Sequence, residues 1–271
     1  MKTVIILSVS SDIGLFMAGQ YLAQGDRVIG TYRQKKGLSA IEHKPNCHLF
    51  KCDIHDRKEF AAFINNVKNL NSPWDVFISC VGHPLPLTSF FDSDFDAWQD
   101  SVEINSIDQL RALHMLYPLR SSASLADVIF FAAGGANKAV VNLSAYTIGK
   151  IMLTKMCEFI DAESKDLNIF IVGPGWTKTK VHQTILSDPN ISRQKKEETI
   201  KFLSENKGTP LQDIFDCIQW LREQGKSVAG GRNFSIVYDP WKKEKRELLV
   251  KELKQNPDMY KLRRHNNQFL Q

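Results

Sequence analysis

The stretch TVIILSVSSDIGLFMAGQYLAQ, residues 3–24, passes from an apolar run through a short polar turn into a segment that favours a helix. The short run at 3–8 predicts a buried strand, and the segment at 13–24 predicts the helix that follows it. Parallel strands need a crossover connection, usually a helix, so this order indicates an α/β unit.

The same alternation continues to about residue 236. We predict strands at 3–8, 27–32, 47–52, 75–80, 127–133, 168–173 and 233–238. We predict helices at 13–24, 56–68, 94–117, 143–163 and 210–223. This pattern predicts an α/β fold with a doubly wound parallel sheet and helices on both faces, whose ligands bind beyond the carboxyl ends of the strands.

The composition excludes several classes of function. With 35 Lys and Arg against 30 Asp and Glu, the net charge is +5, and we expect no nucleic-acid partner. The five cysteines show no C-x-x-C spacing, which indicates reduced thiols in a cytoplasmic protein and no metal site. The apolar start is followed at once by Asp12, and no apolar stretch approaches ~18 residues, so we expect no membrane contact.

Two segments depart from the alternation of strands and helices. Residues 178–207 are polar and long for a connection, which fits a helical substrate lid or a solvated helical insertion. Residues 240–271 form a charged, helix-forming extension after a domain at 1–239. Within it, Leu248, Leu249 and Leu253 are spaced to dock on this domain or on a sister subunit.

The turn SVSSDIG, residues 8–14, lies where a dinucleotide-binding loop would cradle a pyrophosphate. Only Gly14 occupies a glycine position of such a loop, because Ser8 and Asp12 occupy the other two. Ser10 and Ser11 offer hydroxyl and backbone N–H donors to a phosphate. Alternatively, the turn is an ordinary connection in which Asp12 is the helix N-cap.

Tyr146 and Lys150 are four residues apart in the predicted helix at 143–163 and share one face of it. An ammonium within ~4–6 Å of a phenol favours the phenolate and lowers the pKa of the phenol. Such a pair can exchange a proton with an alcohol or a carbonyl. Two surface side chains four residues apart are the ordinary alternative.

Several motifs in a fixed order resemble those of the short-chain dehydrogenase/reductase family over residues 1 to 236. The turn SSDIG, with Ile13 and Gly14, resembles a degenerate phosphate loop of that family. The other matching positions are Asp53 and Ile54 in KCDIHD, Gly82 in ISCVG, Asn105 in VEIN, the pair Tyr146 and Lys150, and Pro174, Gly175, Thr177 and Thr179 in GPGWTKT.

The resemblance implies a Rossmann-type fold and an NAD(P)-dependent oxidoreductase. It implies that Tyr146 is the acid/base, that Lys150 binds the nicotinamide ribose and lowers the pKa of Tyr146, and that Asn105 supports a proton path through water. It places Asp53 near the adenine, Gly82 beside the adenosine ribose, and Pro174, Gly175 and Thr179 beside the nicotinamide. Each residue also has a structural alternative: Asp53 as a helix cap, Asn105 as a polar helix residue, and Pro174-Gly175 as a turn.

The chain departs from the family pattern at the catalytic serine. The position thirteen residues before Tyr146 is Ala133. Ser144 points about 200° away from Tyr146 on the helix, so Asn137 or a backbone N–H near Gly134 or Gly135 is the better substitute. The chain is therefore an oxidoreductase with a substituted donor or an inactive relative that binds nucleotide or a partner subunit.

The second predicted strand ends in VIGTYRQKK, without the acidic residue that selects NAD. Arg33, Lys35 and Lys36 favour the 2′-phosphate, so we expect NADP(H) over NAD(H), with a solvated basic loop as the alternative.

The 178–207 segment, with Arg263, Arg264 and His265 of the tail, suggests a small polar substrate, such as a keto-sugar derivative, or else a salt-bridge network. Apolar residues on the helices at 94–117 and 143–163 predict a homodimer or homotetramer.

Overall fold

The computed structural model describes residues 1–135, 139–188, 191, 193–205, 207–242 and 244–263. Within these residues, seven strands form one parallel sheet in the order β3-β2-β1-β4-β5-β6-β7. They are β1 (Thr3–Leu7), β2 (Arg27–Tyr32), β3 (Cys47–Lys51), β4 (Val76–Ser79), β5 (Ala126–Phe131), β6 (Leu167–Gly173) and β7 (Asn233–Ser235). The predicted doubly wound α/β fold is confirmed.

Helices cover both faces of the sheet. They are α1 (Asp12–Ala23), α2 (Arg57–Asn69), α3 (Phe95–Val102), α4 (Asp108–Leu116), α5 (Ser144–Glu163), α6 (Val181–Ser187), α7 (Arg193–Ser204), α8 (Leu211–Gln224), α9 (Lys226–Ala229) and α10 (Arg246–Gln255). Val4 and Ile6 of β1 belong to the apolar cluster that includes residues of α1 and α8. Ile5 and Leu7 belong to the cluster that includes residues of α2, α4 and α5, as the two-residue period of a strand requires.

The strand order reverses between β1 and β4. β1 pairs with β2 on one side and with β4 on the other, so the carboxyl ends of β1 and β4 flank the switch point of the sheet. Ligands of open α/β sheets bind at such a point. The turn that begins at Ser8 follows β1, and Cys80, whose N–H donates to the Leu7 carbonyl at 3.0 Å, follows β4.

The predicted helix at 94–117 is interrupted. A π-helical turn at Glu103–Ile107 separates α3 from α4. Gly149 of α5 faces this turn so closely that a Cβ on Gly149 would lie 2.8 Å from the Cβ of Asn105. The helices approach each other closely here because position 149 has no side chain.

The C-terminal extension packs on this chain's own domain. Leu249 and Leu253 of α10 are buried in the cluster that includes residues of α8. Leu248 is exposed, so it does not dock on this domain, and its docking on a sister subunit stays a prediction. Arg263 donates to the Glu158 carboxylate of α5 at 2.6 Å. Arg263 thus takes part in a salt-bridge network, the alternative to a ligand site that the sequence offered. Arg264 and His265 lie outside the described residues, and the boundary at 239 stays a prediction.

The last strand of the sheet is shorter than the sequence predicts. β7 ends at Ser235, earlier than predicted, because β6, the strand with which it pairs, ends at Gly173. The Ser235 N–H donates to the Asp239 carboxylate in the turn that follows. In the part of the chain that the structure describes, no helix combines the length and the apolar character needed to span a membrane.

Candidate active site

The turn after β1 has the backbone of a glycine-rich loop although it contains one glycine. Ser8 adopts a left-handed conformation with φ of +59°, which glycine adopts at less cost. A Cβ on Gly14 would lie 2.5 Å from the Ser8 carbonyl oxygen and 2.9 Å from Ser11 Oγ. Ser8 therefore has a backbone conformation that favours glycine, and Gly14 allows the helix to begin close against the turn.

The N-cap of α1 is Ser11. Its Oγ accepts a hydrogen bond from the Gly14 N–H at 3.1 Å, whereas Asp12 is the first residue of the helix. The prediction that Asp12 is the cap is therefore wrong. The Asp12 carboxylate instead accepts a hydrogen bond from the Lys180 N–H at 2.6 Å, which connects the turn at 8–14 to the segment after β6. Ser10, Ser11 and Ile13 lie in the same turn, with backbone N–H groups at the start of α1.

Tyr146 and Lys150 lie together beside the loop that follows β4. Lys150 is buried, its Nζ donates to the Val81 carbonyl at 2.8 Å, and it lies 5.9 Å from the centroid of the Tyr146 ring. A Cβ on Gly82 would lie 3.9 Å from Tyr146 Oη. The structure thus places Lys150 in the interior and a half-buried Tyr146 beside it, next to Gly82.

Burial dominates the electrostatics of this pair. Desolvation lowers the pKa of Lys150 to about 7, because a charged ammonium loses its hydration. Desolvation also raises the pKa of Tyr146 to about 12. In this structure the phenol is therefore protonated and the lysine titrates near neutral pH, and the lowering of the Tyr146 pKa by Lys150 stays a prediction.

Asn105 occupies the π-helical turn and is fully buried. Its Oδ1 accepts from the His83 N–H at 3.0 Å, and its Nδ2 donates to the carbonyls of His83 and Ser101, both at 2.8 Å. All polar atoms of the amide are thus engaged. Asn105 fixes the loop that carries Gly82, which is a more specific role than that of an ordinary polar helix residue.

The region around Ala133 contains two hydroxyl groups that bear on the missing serine. Ser144 Oγ accepts from Trp98 Nε1 at 2.9 Å, a bond that does not use the proton of the hydroxyl itself. Thr147 packs against Gly135 and is buried, and its Oγ1 has no hydrogen-bond partner among the described residues. Thr147 was not singled out by the sequence. Asn137, a predicted substitute, lies outside the described residues.

The segment after β6 supplies a further unpaired group. Thr177 is buried, and its Oγ1 has no partner within the described chain, while its carbonyl accepts from His182 Nε2 at 2.9 Å. Gly175 has φ of +71°, and a Cβ there would meet Val237 at 2.5 Å. Pro174 and Gly175 therefore form a constrained turn. Thr179 lies in the same segment, directly before Lys180.

The loops after β2 and β3 carry the residues expected near the adenosine. Arg33 is exposed, with Nη1 3.8 Å from Asp53 Oδ2. The N-cap of α2 is Asp56, so the alternative that Asp53 caps this helix is wrong. Lys35 is paired with Glu42 at 2.7 Å. The Ile54 side chain is buried in the apolar core, which leaves only its backbone for a ligand.

These residues fit a dinucleotide. The turn at 8–14 presents N–H groups at a helix N-terminus, and a Cβ on Gly14 would fill the turn. The buried Thr177 hydroxyl, on the segment after β6, has no partner among the described residues, although a buried polar group normally has one. Among the described residues, no cluster of three or more His, Cys, Asp or Glu side chains has the arrangement of a metal site.

The family model for short chain dehydrogenases matches residues 2–190 of this chain. The match covers more than half of the chain and includes the phosphate turn, Asn105 and the Tyr146–Lys150 pair. The chain therefore belongs to the short-chain dehydrogenase/reductase family, whose members are NAD(P)-dependent oxidoreductases.

Known proteins resemble this chain at low identity. The benzil reductase ((S)-benzoin forming) of Saccharomyces cerevisiae is 23% identical over 196 residues, which are 68% of this chain and 74% of that protein. A solved short-chain dehydrogenase/reductase from Saccharomyces cerevisiae has a TM-score of 0.79 at 17% identity, covering 89% of this chain and 97% of its own. A variant of actinorhodin polyketide ketoreductase solved with NADPH has a TM-score of 0.73 at 18% identity, covering 86% and 95%.

Proposed function

We propose that this protein is an NADP(H)-dependent oxidoreductase that interconverts a carbonyl and an alcohol, with Tyr146 as the proton donor. The observation that carries the proposal is the half-buried Tyr146 beside the buried Lys150 and Gly82, at the switch point of the sheet. The turn at 8–14 fits the pyrophosphate at the middle of a dinucleotide, and the buried Thr177 hydroxyl, on the segment after β6, offers a polar group to its nicotinamide end.

The proton transfer follows from the desolvation of the Tyr146 phenol and the Lys150 ammonium. The dinucleotide supplies the hydride when a carbonyl is reduced and accepts it in the reverse direction. The Tyr146 phenol, protonated at neutral pH, gives its proton to the substrate oxygen as negative charge develops there. Lys150, with a pKa of about 7, can then return a proton to the phenolate. Asn105 fixes the loop beside the phenol through its three hydrogen bonds.

The missing serine favours a second candidate function. Removing one donor to a developing oxyanion typically costs about 10²–10³-fold in rate, and Ala133 carries no donor. The Ser144 hydroxyl, the Thr147 hydroxyl and the backbone N–H groups near Gly134 are the described groups available to replace it. If none does so, the protein is an inactive relative that binds nucleotide or a partner subunit.

The choice of NADP(H) rests on the loop after β2. Arg33 is exposed and only loosely paired with Asp53, so its guanidinium is available to a 2′-phosphate. Lys36 is exposed in the same loop. Lys35 is engaged by Glu42, which removes one of the three cations that the sequence suggested.

For the substrate, aromatic side chains near α5 favour an apolar molecule over the small polar molecule that the sequence suggested. Phe90 and Phe95 contact Trp98, with ring centroids 5.4 and 5.7 Å apart, and Trp98 is bonded to Ser144 at the start of the catalytic helix. Trp176, on the segment after β6, is partly exposed. These aromatic side chains favour a carbonyl compound with an apolar, aromatic body, a chemistry that the name of the yeast benzil reductase shares.

We also propose a cytoplasmic homodimer or homotetramer. The outer surfaces of the π-helical turn and of α5 expose Ile107, Ile148, Met152 and Phe159. Exposed apolar side chains clustered on two packed helices are typical of a subunit interface. Light scattering of the full chain tests this assembly, and a monomer would contradict it.

Activity measurements on two tyrosine variants test the function. NADPH oxidation is followed with benzil and, separately, with a keto-sugar, for the wild-type chain and for Tyr146→Phe and Tyr117→Phe. We expect turnover of the aromatic diketone that falls at least about 100-fold in Tyr146→Phe. Tyr117 bonds Asp166 far from the site, so Tyr117→Phe is a control with wild-type turnover expected. Full turnover by Tyr146→Phe would contradict the assignment, and NADPH binding without any turnover would favour the inactive relative.

A further inference from the structure

We propose that Lys180 binds phosphate oxygens of the dinucleotide. This inference rests on the proposed function, because it concerns the same cofactor cleft. The sequence did not single out Lys180, and it lies one residue beyond the matched motif GPGWTKT.

The backbone of Lys180 is anchored at the phosphate turn. Its N–H donates to Asp12 Oδ2 at 2.6 Å, although the two residues are 168 positions apart. Asp12 is the first residue of α1, whose N-terminal N–H groups face the pyrophosphate position in a dinucleotide-binding fold. The chain therefore brings residue 180 across the cleft from the carboxyl end of β6 to the start of α1.

The side chain of Lys180 continues along the opening of the cleft. Its Nζ lies 3.6 Å from Asp12 Oδ1, longer than a good hydrogen bond, and the side chain is 45% exposed. A Cβ on Gly37 would lie 3.5 Å from this Nζ. Gly37 belongs to the loop after β2 that also carries Arg33. The ammonium thus lies between the phosphate turn and the loop expected to hold the 2′-phosphate.

The charges at this place favour a phosphate ligand. The Asp12 carboxylate stands where a pyrophosphate would bring further negative charge, so an uncompensated Asp12 would oppose binding. An ammonium that spans the two anionic groups offsets this repulsion and donates to phosphate oxygens. Lys178, two residues earlier, is turned away, since its Nζ donates to the Leu203 carbonyl of α7 at 3.0 Å. Lys178 is therefore a matched control in the same segment.

Calorimetry of the full chain tests the proposal by measuring the dissociation constants for NADPH and for NADH. The chains compared are the wild type, Lys180→Met, Lys180→Arg and Lys178→Met. Loss of one charge-assisted phosphate contact should weaken binding by about 10- to 100-fold in Lys180→Met. Lys180→Arg should keep most of the affinity, and Lys178→Met should bind like the wild type. Equal losses for NADPH and NADH assign the contact to the pyrophosphate, and a loss for NADPH alone assigns it to the 2′-phosphate.

Two results would overturn the proposal. Unchanged dissociation constants for both dinucleotides in Lys180→Met would exclude a phosphate contact. Full recovery of affinity in the double variant Asp12→Asn/Lys180→Met would show that Lys180 only neutralises Asp12 and touches no phosphate. A wild-type chain that binds neither dinucleotide is a different result, because it contradicts the proposed function itself. Urea denaturation of each variant verifies that the chains compared are folded.

Discussion

Replacing Gly149 by alanine tests the close packing that holds Asn105 in its π-helical turn. Gly149 lies inside α5, where alanine favours a helix by about 0.5–1 kcal/mol over glycine. A Cβ at this position would lie 2.8 Å from the Cβ of Asn105 and 3.3 Å from the Val102 carbonyl oxygen. Such overpacking against backbone typically costs about 1–3 kcal/mol, so it equals or exceeds the gain in helix propensity.

Gly19 provides the matched control, because it lies inside α1 with no described atom within 4 Å of its would-be Cβ. We expect Gly19→Ala to gain about 0.5–1 kcal/mol in the free energy of unfolding, and Gly149→Ala to lie about 1–3 kcal/mol below it. Urea denaturation followed by circular dichroism measures both. We also expect turnover to fall in Gly149→Ala alone, since the displaced Asn105 no longer fixes the loop at His83. Equal stabilisation by the two substitutions would refute the packing argument.

Three further predictions concern stability. Ser8→Gly should raise the free energy of unfolding by about 1 kcal/mol, because glycine adopts a φ of +59° without strain, and an unchanged urea midpoint would count against strain at Ser8. The hydrogen bond to Asp108 raises the pKa of His55, so its stabilising contribution is full below ~6.5 and is lost as pH rises through the folded value. The urea midpoint should thus fall less between pH 6 and 8 in His55→Gln than in the wild type, and parallel curves would disprove the coupling. Arg263 lowers the pKa of Glu158 to about 2, so that contribution is present above ~4.3 and is lost as pH falls toward 2. In Arg263→Ala, the urea midpoint should therefore fall less between pH 5 and pH 2 than in the wild type. An equal fall in the two chains would exclude this pairing.

The sequence predicted the order of strands and helices because the length and periodicity of apolar runs report local structure. The run TVIILS is too short for a helix and is buried on both faces, as a central parallel strand requires. The end of β7 was placed too late because apolar residues continue to Val237 after the pairing with β6 has ended. On α10, the spacing of the three leucines did not show that Leu249 and Leu253 reach the core whereas Leu248 faces solvent in the single chain.

The site could be predicted in part. The spacing of Tyr146 and Lys150 was sufficient to place them on one face of a helix, but the direction of their pKa shifts depends on burial, which spacing does not contain. The substitution at Ser8 looked like a lost glycine, yet the backbone conformation is retained. The contact between Asp12 and Lys180 joins residues 168 positions apart, and no local pattern encodes it.

Titration of the full chain with NADPH by calorimetry is the most direct test of the central claim, that Tyr146 and the buried Lys150 serve a dinucleotide cleft. We predict saturable binding of one NADPH per chain, tighter than the binding of NADH. A chain that is folded and shows no heat of binding with either nucleotide would contradict the claim.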